Sequence, residues 1–184
     1  MRRTKPAKSD QKKVSSESLK KLKAIAMDVD GVLTEGIIHL DSRGEELKAF
    51  NALDGLGIVL AKRSGLTIVF ISARSSKALT LRVKELGIDA LYQNRVEKLQ
   101  AFDSFLKQFH LTPHEVCYIG DDLVDIPILK RVGFPVAVLN AVNEVKKCAK
   151  YVTKLQGGRG AVREVIEKIM KAQGTWEKQI QKYV

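Results

Sequence analysis

The sequence has only two cysteines among its 184 residues. Cys117 sits in an apolar, strand-like run and Cys148 in a helical one, so neither a disulfide framework nor a thiolate metal site is expected. Both read as reduced thiols of the kind a cytoplasmic protein carries. No apolar run approaches the roughly 20 residues that span a bilayer. The charged start has no apolar segment behind it, so neither a membrane partner nor a secretory leader is expected. His39, His110 and His114 stand without partners, which leaves no histidine-based nucleophile or metal motif. Trp176, the sole tryptophan, lies in a polar stretch and reads as a packing or exposed residue. No repeat with a period of roughly 20–50 residues is visible, which excludes solenoids and propellers.

Charge is abundant but uneven. The net charge is +11, of which residues 1–23 carry +7 and the rest only +4. A basic segment can touch nucleic acid or anionic lipid. Here no aromatic residue is interleaved with the charges, so bases have no stacking platform and no nucleic-acid partner is expected. Residues 1–18 read as a disordered, solvated basic tail, residues 19–173 as one domain and 174–184 as a C-terminal tail.

The informative stretch is Ala24-Ile25-Ala26-Met27-Asp28-Val29-Asp30-Gly31. A short apolar run ends in two carboxylates one residue apart and a glycine, which reads as a buried strand entering a tight loop. Further strands are expected at 66–71, 90–92, 116–119, 136–138 and 151–153, with helices at 53–64, up to 86, 97–109, 123–132, 142–149 and from 161. Two runs around Asp41-Ser42-Arg43-Gly44 predict a β-hairpin over 36–50. Alternating apolar strands and helices predict an α/β fold with a Rossmann-like, mainly parallel sheet covered on both faces. The segment between the first two core strands has room for the hairpin and one helix, but not for a lid domain, so the domain is expected to be capless.

Parallel strands bring their carboxyl ends to one edge, where such sheets bind ligands. That edge would collect Asp28 and Asp30, Ser72, and Asp121, Asp122 and Asp125, with Lys98 joining from a helix. Hard oxygen donors without nitrogen or sulfur select Mg²⁺, which favours sharing its shell with a phosphate. Lys98 and the Ser72 hydroxyl suit phosphate oxygens. Asp28 is placed to attack phosphorus, and Asp30 to protonate the leaving alcohol and then activate water.

These residues resemble the motifs of the haloacid dehalogenase-like phosphohydrolases. Asp28-Val29-Asp30-Gly31-Val32-Leu33-Thr34 is similar to the first motif, Ser72 to the second, Lys98 to the third and Gly120-Asp121-Asp122-Leu123-Val124-Asp125 to the fourth. The resemblance implies Asp28 as nucleophile and Asp30 as acid/base. It also implies Mg²⁺ held by Asp28, the Asp30 carbonyl and Asp121, with Asp122 or Asp125 in support. Glu45-Glu46-Leu47-Lys48-Ala49-Phe50-Asn51, Asp54-Gly55 and Gly157-Gly158-Arg159-Gly160 resemble the bacterial 3-deoxy-D-manno-octulosonate 8-phosphate phosphatases. That resemblance implies a capless homotetramer acting on a small sugar phosphate in lipopolysaccharide precursor synthesis. It adds Asn51, Asp54, Gly55, Ser72, Ala73, Arg74 and Arg159 as candidate substrate or phosphate contacts; Ala73 stands where relatives often have glycine. The 157–160 loop reads as either an anion cradle at a helix N-terminus or a hinge. Three alternatives accompany this reading: a phosphatase for a related nine-carbon acidic sugar phosphate, a phosphoacceptor signalling module, and a catalytically silent domain of the same fold.

Overall fold

A computed structural model describes residues 15–184. The expected disorder of the first residues therefore lies outside the described residues up to 14. From there the chain is already ordered: Ser15 caps helix α1 (Ser16–Lys20), whose Leu19 is buried, so the boundary expected at 18 falls inside a helix.

Strand β1 (Ala24–Met27) is buried along its whole length. It pairs in parallel with β4 (Thr67–Ile71) on one side and β6 (Val116–Gly120) on the other. Beyond β4 lies β5 (Ala90–Tyr92); beyond β6 lie β7 (Phe134–Ala137) and β8 (Tyr151–Val152). The order β5-β4-β1-β6-β7-β8 is that of a Rossmann-like sheet whose chain direction reverses at β1. All five pairings in this sheet are parallel.

Right-handed crossovers put α2 (Ala52–Arg63) and α3 (Lys77–Leu86) on one face and α4 (Lys98–Gln108), α5 (Ile126–Leu129) and α6 (Asn143–Cys148) on the other. The packing agrees: α2 contacts α3 and α7 (Ala161–Gln173), whereas α5 contacts α4 and α6. The apolar stripe of α7 (Val162, Val165, Ile166, Ile169, Met170) is fully buried.

Three local readings change. The hairpin is reduced to two-residue strands, β2 (His39–Leu40) and β3 (Glu46–Leu47), with most of its apolar side chains exposed. Helix α2 runs through Gly55 and Gly57, which sequence propensity alone would use as breakers. A Cβ on Gly57 would fall 2.8 Å from Arg163 Cδ and 3.4 Å from its Cα, so close packing against α7 overrides the propensity. The stretch 174–184 is not a free tail. It holds helix α8 (Trp176–Ile180), with Trp176 buried beneath the guanidinium of Arg163, 4.7 Å from the ring centroid.

Candidate active site

β1 and β6 lie side by side at the reversal point, so Asp28 and Asp121 follow adjacent strand ends. Oxygens of Asp28, Asp121 and Asp125 lie within 4.8 Å of one another. Lys98, at the start of α4, threads its side chain between them. Its Nζ is 2.7 Å from Asp28 Oδ2 and 2.8 Å from Asp125 Oδ1, and the residue is buried. Burial alone would lower the Lys98 pKa; the two carboxylates outweigh it and raise it.

The acids are held in different ways. Asp28 accepts the Val29 N–H at 2.7 Å, and burial, aided by Asp125, pushes it up to about 6. Asp121 is pushed up to about 8 by burial and by the charges of Asp28 and Asp125. Among the described residues, its buried Oδ1 has no hydrogen-bond partner. Gly31, at φ +95°, leaves room for it: a Cβ there would lie 2.0 Å from Asp121 Oδ2. Asp125 is saturated. Its Oδ1 accepts from Lys98 and from the Tyr118 hydroxyl, and its Oδ2 accepts the N–H groups of Asp121 and Asp122. Clustered carboxylates, one buried oxygen without a partner and a single ammonium fit a hard divalent cation. Asp28 and Asp121 are the side chains with acceptor capacity left to hold it.

Asp30 reaches a different partner. Its carboxylate pairs with Lys48 Nζ, which also binds Glu46 Oε1 at 3.0 Å. Glu46 in turn faces Arg74 Nε at 3.4 Å. The hairpin thus delivers a buried lysine to the proposed acid/base, next to a groove lined by Thr34, Glu35, Ile37, His39, Lys48 and Ala49. The sequence reading gave Lys48 and Glu46 no role. Their i, i+2 spacing at the end of β3, with the exposed Leu47 between them, was the available signal. Tyr118 and Asn140 were also missed. Asn140 Nδ2 donates to the Gly31 carbonyl at 3.0 Å, and its Oδ1 accepts the Gly157 N–H at 2.7 Å.

Ser72 follows β4 and is buried, its Oγ accepting the Arg74 N–H at 3.1 Å. Ala73 is half-buried and Arg74 exposed in the same loop. Four expectations are corrected. Asp122 is outside the carboxylate cluster: exposed, it caps the following 3-10 turn through the Leu123 N–H, and it is Asp125 that lies beside Asp28 and Asp121. Asp54 is fully buried and accepts the N–H groups of Gly160 and Arg163, so it caps α7 rather than facing a ligand. Gly55 packs against Arg82 inside α2. The 157–160 loop is not an anion cradle. All four of its amides have internal acceptors: Asn140, Val32, Gln156 and Asp54. Asn51 caps α2 and donates to the Gly158 carbonyl at 3.3 Å. Arg159 pairs with Glu35 at 2.9 Å.

Comparisons with known proteins bear on the family and the fold. Residues 84–166 match the model of a haloacid dehalogenase-like hydrolase family. The chain is 44% identical over 153 residues to the 3-deoxy-D-manno-octulosonate 8-phosphate phosphatase of Escherichia coli K12, covering 83% of this chain and 81% of that one. The phosphatase of the same name from Yersinia pestis is 44% identical over 156 residues, covering 85% and 83%. The crystal structure of the Moraxella catarrhalis phosphatase, in complex with magnesium, phosphate and KDO, superposes with a TM-score of 0.90 at 39% identity, covering 92% of this chain and 97% of that one.

Proposed function

The chain belongs to the 3-deoxy-D-manno-octulosonate 8-phosphate phosphatase family of haloacid dehalogenase-like hydrolases, and on that footing we propose that it hydrolyses this sugar phosphate to the free sugar and phosphate. The observation that carries the reading is the Asp28–Lys98–Asp121 cluster, with its unpartnered Asp121 oxygen, at the reversal point of the sheet.

Asp28 attacks phosphorus and forms an aspartyl-phosphate, which water then cleaves. Asp30 protonates the leaving alcohol and later takes a proton from that water, its carboxylate aimed by Lys48. Lys98 and the Ser72 hydroxyl hold the phosphoryl oxygens and balance their charge. Mg²⁺, held by Asp28, the Asp30 carbonyl and Asp121, would neutralise the charge between nucleophile and phosphate. Arg74 and Arg159, both exposed, are the cations offered to a sugar carboxylate, in exchange for their present partners Glu46 and Glu35. Asn51 acts indirectly, by tying the 157–160 loop to α2.

The enzyme works in lipopolysaccharide precursor synthesis, in the cytoplasm, as a homotetramer. Support for the oligomer comes from Ile37, Leu40, Leu47 and Leu53, each at least 60% exposed around the hairpin and the start of α2. Such a surface needs covering. Leu47→Glu should break the assembly into smaller species in sedimentation, and wild type that sediments as a monomer would remove that part.

The test is phosphate release from 3-deoxy-D-manno-octulosonate 8-phosphate with and without Mg²⁺, for wild type and Asp28→Asn. Mg²⁺-dependent turnover lost in the variant supports both reaction and nucleophile. Faster turnover of a nine-carbon acidic sugar phosphate would reassign the substrate. No turnover on either, from folded protein, would point to a silent domain.

A further inference from the structure

Tyr118 presents a hydroxyl where packing requires none. It lies in the middle of β6, fully buried between β1 and β7, with its ring 6.5 Å from Phe102 in an edge-on contact. Phenylalanine would make the same contacts, and burying a hydroxyl costs free energy unless it is paired. The hydroxyl donates to Asp125 Oδ1, at 2.7 Å. Burial and the nearby carboxylates hold the phenol well above its usual pKa, so it stays a donor.

Asp125 has no free acceptor position. Lys98 Nζ shares Oδ1 with Tyr118 at 2.8 Å, while the N–H groups of Asp121 and Asp122 bind Oδ2 at 2.9 and 3.2 Å. One carboxylate thus fixes the ammonium that touches Asp28 and the backbone that carries Asp121. Only the Tyr118 donor comes from the sheet itself; the others belong to the groups being positioned. Without it, Asp125 could follow Lys98 or the loop, but nothing rigid would hold it between them.

We propose that the Tyr118 hydroxyl is a positioning group for the phosphatase reaction: it anchors Asp125 to the sheet, and through Asp125 sets Lys98 against Asp28 and Asp121 beside it. The proposal rests on the function argued above. It acts on the geometry of phosphoryl transfer and not on sugar recognition, since Tyr118 is walled off from the mouth.

The test is Tyr118→Phe in the full-length enzyme with Mg²⁺, on the sugar phosphate and on p-nitrophenyl phosphate. The expected result is a fall in kcat and in single-turnover phosphoryl transfer of about tenfold on both esters, with KM moving less than about threefold. The comparison variant is Phe102→Leu, which trims the ring's packing and leaves the hydroxyl. It should lower the melting temperature more than Tyr118→Phe does while keeping kcat within about twofold. A folded Tyr118→Phe with wild-type kcat overturns the proposal. So does a pair of variants whose kcat losses simply follow their melting temperatures. If Tyr118→Phe does not fold, a fluorotyrosine inserted at 118 keeps the shape and changes the donor strength. A rate that moves with phenol acidity supports the proposal; a constant rate overturns it. A wild type inert on both esters overturns the proposed function instead, and this inference with it.

Discussion

Two sites in this molecule bury aspartates, and they are built in opposite ways. Asp54 lies under the start of α7 with no exposed surface, yet its oxygens are taken up by the N–H groups of Gly160 and Arg163. Burial raises its pKa, and the amides of Arg163, Gly160 and Val162 pull it back only in part. At the sheet edge, Asp28 and Asp121 are raised to about 6 and about 8, and one Asp121 oxygen has no partner. A buried carboxylate whose lone pairs are filled by the chain is scaffold, and one left short of donors is a site waiting for an external cation. Asp54 is the anion that the helix N-terminus calls for, supplied internally.

The contrast can be broken or sharpened by experiment. The largest effect is expected from Asp28→Asn, which removes the nucleophile with little change of shape: phosphate release should fall by about 10⁴-fold or more while the fold persists by circular dichroism. Asp121→Asn should raise the Mg²⁺ concentration for half-maximal activity by at least about tenfold, read from a metal titration. Metal removal should then expose the repulsion in the cluster. Unfolded aspartates release their protons near pH 4. The folded carboxyls keep theirs to about 6 for Asp28 and about 8 for Asp121. Folding is therefore favoured most on the acid side, and chelator-treated protein should melt at progressively lower temperature as pH rises through that window. Saturating Mg²⁺ should flatten the trend; a melting temperature in chelator that climbs with pH would contradict it. The smallest effect is expected at the scaffold acid. Asp54→Ala should cost about 1–2 kcal/mol of stability in denaturant unfolding, the usual worth of a lost cap, with kcat within about twofold. If Asp54→Ala instead abolished activity in folded protein, the distinction between the two sites would fail.

The sheet and its acidic edge were legible because the signals were local. Apolar runs that stop at Asp28, Ser72 and Asp121 name both the strand and its end. The partners of a carboxylate are not local. Asp54 and Gly160 are more than a hundred residues apart in sequence, and nothing near Asp54 says that a helix will start on it. The same blindness left the Gly157–Gly160 loop open between an anion cradle and a hinge, although its amides close on Asn140, Val32, Gln156 and Asp54. Asp122 and Asp125 looked equivalent in the sequence. The 3-10 turn between them sends one outward and the other under Lys98. Helix α8 was missed because it is short and largely polar. It is held by Trp176 between Arg163 and Lys171, contacts that belong to α7.

The central place of β1 has a consequence for how the protein comes into being. The strand that carries Asp28 is made first among those of the sheet, and both its neighbours are made later. On the ribosome, Asp28 emerges nearly a hundred residues ahead of Asp121, and longer still ahead of Asn140 and Gly157, which join at the Gly31 loop. A nascent chain therefore holds its nucleophile without Lys98 or Asp121 until β6 inserts beside β1. Phosphatase activity should arrive late in synthesis and all at once, and chains stalled or truncated before residue 157 should be inert, even with every catalytic side chain already made.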